Sequence, residues 1–175
     1  MPSTSHSYVN SRVLKLNVGF LLNAGPGHSR DSELDIPTVR VSDDLLLEYL
    51  RGKLRLSHTK EGILVQAHLD TAVHDECYRC LDPVLNEISL ELEELYTTQP
   101  HRETEFQVSD DGILDLAPLL RAETLIEESH RVLCQDDCKG ICPQCGVNRN
   151  RETCDCDVDD IDPRLAALKQ LLDSN

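Results

Sequence analysis

At 175 residues the chain is long enough for one ordinary domain and a small appendage, so a core can form without covalent staples. Its 17 basic and 32 acidic side chains leave a formal charge of -15, which excludes general adhesion to RNA or membranes and confines any nucleic-acid contact to a local basic patch. With four Tyr, two Phe and no Trp, the core must be aliphatic, and nothing suggests a large aromatic cofactor pocket.

The first apolar segment, Val13 to Leu22, faintly imitates a secretory signal, but Asn17 interrupts it and leaves too short a run. No stretch approaches the roughly 18 apolar residues needed to span a bilayer, so a reducing cytoplasm is the expected setting. Leu14, Leu16, Val18, Phe20 and Leu22 alternate with other residues, the period of a half-buried strand. Asn23 to Ser32, with Gly25-Pro26-Gly27, reads as a loop. From Val39 the pattern is extended again: Leu50, Gly52, Leu54 and Leu56 alternate with Arg51, Lys53 and Arg55 before a Lys60-Glu61-Gly62 turn. A return strand runs from Ile63 toward Cys77, and another carries Val84, Ile88, Leu90 and Leu92 on one face. Cys77 and Cys80 therefore occupy a connection between strands.

Asp115 is a candidate N-cap for a helix with Leu116, Leu119, Leu120, Ala122, Ile126 and Leu133 at helical spacing, delivering Cys134. A cysteine-rich stretch lasts to Cys156 and overlaps an acidic run from Asp155 to Asp162. Asp162-Pro163 then caps a short closing helix with Leu165, Leu168 and Leu172 on its apolar stripe. The expected fold is α+β: an antiparallel sheet packed by a helix over 10–133, then a cysteine-rich zinc module with a short terminal helix over 134–175.

The eight cysteines stand as Cys77-x2-Cys80, Cys134-x3-Cys138-x3-Cys142-x2-Cys145 and Cys154-x-Cys156. In a reducing compartment such clusters bind metal more often than they form disulfides, and eight thiolates complete two closed, structural four-cysteine Zn2+ sites. The piece Cys142-Pro143-Gln144-Cys145-Gly146 is one knuckle of a zinc ribbon, with Gly146 free to take the positive φ the turn needs. Cys154 and Cys156 lie close enough to complete it. Cys77 and Cys80 form a second knuckle whose most economical partners are Cys134 and Cys138, although exchanging Cys138 for Cys154 or Cys156 gives an equally sensible ligand count. His130 and His74 are weaker ligand candidates, since four cysteines suffice at each site, while His58 and His68 read as surface or strand-face residues. The competing readings are unpaired thiols, or a reversible dithiol at Cys77 and Cys80.

Cys77-Tyr78-Arg79-Cys80-Leu81-Asp82-Pro83, the stretch from Cys138 to Asn150, Cys154-Asp155-Cys156 and the run from Asp162 to Leu171 together resemble the bacterial and plastid YceD family, whose members are called large ribosomal RNA subunit accumulation proteins. The resemblance covers roughly residues 10–172. It implies a non-enzymatic role in large-subunit biogenesis, supporting accumulation of 23S ribosomal RNA. The implied partners are a large-subunit precursor, 23S rRNA or a basic ribosomal protein, with no membrane and no small-molecule substrate. The family more often has a leucine between the asparagines of Asn148-Arg149-Asn150, so Arg149 is free to face RNA.

Arg131, Lys139, Arg149 and Arg151 form a small basic island around the module, with Lys139, Arg149 and Arg151 the candidate RNA contacts. The alternative role for these charges is to offset the thiolates and acidic tail. Asp155, Asp157, Asp159, Asp160 and Asp162 suit a basic protein partner or a solvated linker. A zinc thiol redox-switched chaperone is the alternative function, because Cys-x-Cys beside Cys-x2-Cys resembles such a switch. An enzyme has least support: four thiolates close a zinc site, and no phosphate-binding glycine loop or nucleophile and base pair is recognisable.

Overall fold

A computed structural model describes residues 8–98, 105–128 and 132–156. Their contacts divide the chain into two compact units, one within Met1–Asp75 and Val84–Val132, the other within Glu76–Pro83 and Leu133–Asn175. The first unit is mostly antiparallel sheet with a few helices. Among the described residues its strands are β1 (Val9–Asn10), β2 (Lys15–Asn17), β3 (Ser29–Ser42), β4 (Leu45–His58), β5 (Gly62–Glu76), β6 (Pro83–Thr97) and β7 (Ile113–Asp115). The main sheet runs β1-β3-β4-β5-β6, with β1 parallel to β3, and β2 pairs antiparallel with β7. Helices α1 (Gly19–Ala24) and α2 (Ala117–Glu128) accompany them.

Alternation along the long strands builds the core. Leu50, Leu54, Ile63, Leu69, Leu90 and Leu92 are buried together with Leu114, Leu116, Leu119 and Leu120. Each such side chain contributes on the order of 1.5–3 kcal/mol by leaving water. Tyr96 is buried among them and donates its hydroxyl to the Asp115 carbonyl at 3.0 Å. Asp115 Oδ1 accepts the Ala117 backbone N–H at 3.0 Å, the capping contact expected at the start of α2. That helix packs against β3, and Arg121 Nε reaches Asp44 Oδ1 at 3.1 Å, holding the Asp44 carboxyl well below the usual carboxylate range.

Three local expectations are corrected. The segment around Val13–Leu22 is not one strand: Ser11–Leu14 is a 3-10 turn, only Lys15–Asn17 is extended, and Gly19–Ala24 is helical. Its buried residues are Leu14, Val18 and Leu21, spaced by four and three, so the helical period wins, and Phe20 is exposed. Asn17 Oδ1 accepts the Gly19 N–H at 3.0 Å at the changeover. The loop expected over Asn23–Ser32 is shorter, because β3 begins at Ser29. Its first half carries little apolar residue pattern and is held by a charge ladder, with Asp31 on Arg55 at 3.2 Å and Asp35 on Arg51 at 2.8 Å.

The third correction concerns α2, which ends at Glu128; Val132 and Leu133 are not helical, so Cys134 does not ride on it. Thr124 is buried where Ile126 was expected to be, and Ile126 is exposed. The closing helix at Leu165, Leu168 and Leu172, the acidic residues from Asp157 to Asp162, and Arg131 and His130 lie outside the described residues. No helix among the described residues is long and apolar enough to cross a membrane.

Candidate metal centres

The second unit gathers Glu76–Pro83, which the linear boundary at 133/134 keeps with the sheet, with the C-terminal cysteines. Its two Cys-x2-Cys turns share one geometry. Leu81 N–H donates to the Cys77 carbonyl and Gly146 N–H to the Cys142 carbonyl, each at 2.8 Å. Cys77 N–H donates to the Asp82 carbonyl and Cys142 N–H to the Val147 carbonyl, again at 2.8 Å. The residue after the second cysteine takes a left-handed φ in both, 61° at Leu81 and 74° at Gly146. Gly146 adopts this freely, as its motif predicts, whereas an L side chain such as Leu81 carries about 1–2 kcal/mol of strain.

These turns aim backbone N–H groups at sulfur. Burial opposes ionisation of Cys77, yet N–H donors from Cys134, Cys80 and Arg79 bring its thiol down to about 6. The Cys145 and Gln144 N–H groups do the same for Cys142, also to about 6. The partners move the other way. Burial pushes Cys80 and Cys134 up, while the Cys145 thiol and burial push Cys156 up to about 12. Cys154 is raised too: the Cys156 N–H opposes this, but hydrogen bonding to the Cys142 thiol and burial outweigh it.

The sulfurs converge in two groups, Cys77, Cys80, Cys134 and Cys138 in one and Cys142, Cys145, Cys154 and Cys156 in the other, all ligand atoms of a group lying within 4.8 Å. Cys77 Sγ is 3.7 Å from Cys138 Sγ, and Cys80 Sγ is 3.5 Å from Cys134 Sγ. Tetrahedral sulfur at a metal distance of about 2.3 Å has edges of about 3.8 Å, so the spacing suits a shared ion. It is far beyond a disulfide's roughly 2.05 Å. All eight cysteines are free, and each group can hold a metal ion. The exchanged set, with Cys154 or Cys156 in place of Cys138, is not what the structure brings together.

Sequence reasoning missed the polar frame around these sulfurs. Asn150 Nδ2 donates to Cys138 Sγ at 3.2 Å, while its Oδ1 accepts the Lys139 backbone N–H at 2.7 Å. Asp82 accepts from Asn148 Nδ2 at 3.0 Å and from an Arg151 guanidinium nitrogen at 2.8 Å. Arg79 donates to the Cys138 carbonyl at 2.9 Å, and its own carbonyl accepts the Ile141 N–H at 3.0 Å. The signal was present as Asp82, two residues after the first Cys-x2-Cys pair, and as Asn148, Asn150 and Arg151, three to six residues after the second. Of the basic candidates, Lys139 and Arg149 are exposed, but the Arg151 side chain is engaged by Asp82. His74 Nε2 lies 3.0 Å from Glu48 and His58 Nδ1 3.0 Å from the Leu21 carbonyl, both in the sheet unit and in neither cysteine group.

Two glycines of the module separate backbone strain from crowding. Gly146 has open space where a Cβ would stand, so Gly146→Ala is expected to cost only the left-handed backbone strain, about 1–2 kcal/mol. Gly140 has φ 72°, and a Cβ there would lie 2.9 Å from the Arg79 carbonyl oxygen. Gly140→Ala is therefore expected to lower the chelator concentration that strips the module further than Gly146→Ala does; equal shifts would contradict this.

A family model described as large ribosomal RNA subunit accumulation protein YceD matches residues 65–172, a span holding both turns and all eight cysteines. The chain belongs to the YceD family. The match starts in β5, so the strands before it lie outside the matched region. Relatives of this YceD-family chain include uncharacterized proteins of Mycobacterium bovis and Mycobacterium tuberculosis, each 33% identical over 125 residues, which is 68% of this chain and 60% of theirs. A protein of Mycobacterium leprae is 29% identical over 126 residues, covering 68% of this chain and 57% of its own. The chain thus spans about 60% of the length of the first of these relatives. No solved structure matches it.

Proposed function

We propose that this YceD-family chain is a non-enzymatic, cytoplasmic zinc factor for large ribosomal subunit biogenesis that supports accumulation of 23S rRNA. The observation that carries the reading is the family match, which falls on the segment that builds the two four-cysteine groups. Zn2+ suits them because it accepts four thiolates tetrahedrally and brings no redox chemistry of its own. Four thiolates also leave no open position for a substrate or activated water, which favours scaffolding over catalysis. The scaffold presents Lys139 and Arg149 to solvent, where they can meet phosphates of a large-subunit precursor or of 23S rRNA; a basic ribosomal protein is the alternative partner. Arg151 has a scaffolding role through Asp82.

A deletion strain is expected to lose 23S rRNA and 50S particles on ribosome profiles, with rescue by the intact gene. Charge reversal of Lys139 and Arg149 to Glu is expected to weaken pre-ribosome association at unchanged zinc content. Normal 23S levels in the deletion strain would reject the function, and unchanged association of the reversed chain would reject the RNA surface alone.

A zinc thiol redox-switched chaperone is the second reading, favoured by the exposure of Cys134 and Cys145 in otherwise more enclosed groups. It requires mild peroxide to release zinc and uncover apolar surface. Zinc that stays bound under peroxide excludes it.

A further inference from the structure

The main sheet ends on β6, and most of that strand's outer edge is open among the described residues. Thr97 fixes which backbone groups face outward. Its N–H donates to the Phe106 carbonyl at 3.1 Å and its carbonyl accepts the Val108 N–H at 3.0 Å, both partners lying outside the β5–β6 pairing. Backbone groups alternate sides along a strand, so Leu85, Glu87, Ser89, Glu91 and Glu93 direct theirs the same way. Leu95, next in that row, has its N–H taken by Glu94 Oε1 at 3.0 Å, so the strand closes its own edge there. The row from Leu85 to Glu93 carries exposed side chains and faces no neighbouring strand among the described residues.

Charge selects what can pair with this edge. On β3 and β4 acids and bases neutralise one another across the ladder. Neither β5 nor β6 contains a Lys or Arg, whereas Asp70, Glu87, Glu91 and Glu93 stand on their exposed face. Their neighbours are weak: Gln66 donates to Glu93 at 3.1 Å, Ser89 to Asp70 at 2.9 Å, and His68 lies 3.8 Å from Glu91. Beside the edge, Tyr49, Asp70, Glu87, Ile88 and Ser89 line a recess with two carboxylates and an aromatic ring. Arg51 leans over Tyr49, but its guanidinium is committed to Asp35.

From the open edge and its charge we infer that β6 is a docking strand for an extended, lysine- or arginine-rich protein segment, which adds to the sheet antiparallel or parallel beyond β6. Main-chain hydrogen bonds from Leu85–Glu93 supply the pairing, and cations on alternate residues of the incoming strand meet the acidic row. A second copy of the chain is disfavoured, because β6 against β6 sets glutamates opposite glutamates. Nucleic acid is repelled by the same row. The inference stands on the sheet and is independent of the ribosomal reading.

The test uses the full zinc-loaded chain and a nine-residue peptide alternating valine and lysine, with a valine and glutamate peptide as control. The lysine peptide is expected to bind by fluorescence anisotropy, the control not, and binding is expected to slow amide exchange at Glu87, Ser89, Glu91 and Glu93. Glu91→Lys with Glu93→Lys is expected to weaken binding at least about tenfold, since opposed charges become like charges at two sites. Ser89→Pro removes one outward N–H at an edge position, where proline is tolerated, and is expected to weaken binding while the sheet amides keep their protection. Absence of binding, protection elsewhere, binding undiminished by Ser89→Pro, or self-association of the chain through β6 would each overturn the inference. None of these outcomes touches the 23S rRNA test of the deletion strain.

Discussion

With Zn2+ in both cysteine groups, as proposed, replacing Cys77 with Ser is expected to reduce the zinc retained against a competing chelator from two ions per chain to one. Cys77 is fully buried, receives three backbone N–H groups, and lies 3.7 Å from Cys138 Sγ. A serine hydroxyl in its place stays protonated at neutral pH and cannot supply the thiolate charge that this cradle is built to hold. Structural zinc sites have about 10–16 kcal/mol of apparent binding energy at pH 7, so a site left with three thiolates falls toward the roughly 8 kcal/mol of micromolar affinity and yields its ion to a tight chelator. The ligands of the other group lie between Cys142 and Cys156, and that group is expected to keep its ion. Elemental analysis after the chelator challenge reads the ratio directly; two ions retained as in the parent would show that Cys77 is not a ligand. The sheet unit draws its core from its own strands and α2, so its amides are expected to remain protected after the substitution, and equally after chelation of both ions. Acid acts in the same direction. Thiolates must be deprotonated to bind, so zinc affinity falls as pH drops, and loading at neutral pH releases protons from the raised thiols Cys80, Cys134, Cys154 and Cys156.

Those features were legible in the chain to different degrees, for physical reasons. Two-residue spacing between cysteines forces a tight turn with converging sulfurs, which is a local property, so the turns could be read from sequence. Gly146 shows the same locality. Which pair joins which is a long-range matter: Cys77 meets Cys138 across 61 positions, and spacing alone left the exchanged set open. The strands β4, β5 and β6 announced themselves because one face is apolar. The first half of β3 did not, because its stability comes from Asp31 and Asp35 meeting arginines on β4. The segment from Leu14 to Leu22 misled because Leu14 and Val18 fit periods of two and of four equally, and only Leu21 with exposed Phe20 decides between them. Leu81 could not have been foreseen as left-handed from its residue type, only from the likeness of its turn to the one at Gly146.

Replacing Asn150 with Ala is expected to lower zinc affinity at the first cysteine group by about 10–100-fold, the usual effect of removing a partner that orients a metal ligand. Asn150 Nδ2 donates to Cys138 Sγ at 3.2 Å, and its Oδ1 holds the Lys139 N–H at 2.7 Å, so one side chain both supports the thiolate charge and fixes the chain beside it. Asn150→Asp separates these roles. It keeps an acceptor for the Lys139 N–H but replaces the donor to sulfur with a carboxylate, and is expected to weaken the first group at least as much as Ala does. The second group supplies the comparison, since Cys142, Cys145, Cys154 and Cys156 make no contact of this kind with Asn150 and should change less. Arg149→Ala, one residue away and exposed, is expected to leave both affinities unchanged. Competition with a metallochromic chelator resolves the two ions by affinity. If Asn150→Asp binds like the parent while Asn150→Ala does not, the side chain serves only to hold the Lys139 backbone. If both bind like the parent, the contact to Cys138 contributes nothing to the metal site. If both weaken the first ion selectively, the run Asn148-Arg149-Asn150 is part of the metal centre, and the residues after the second turn tune the ion that the first turn holds.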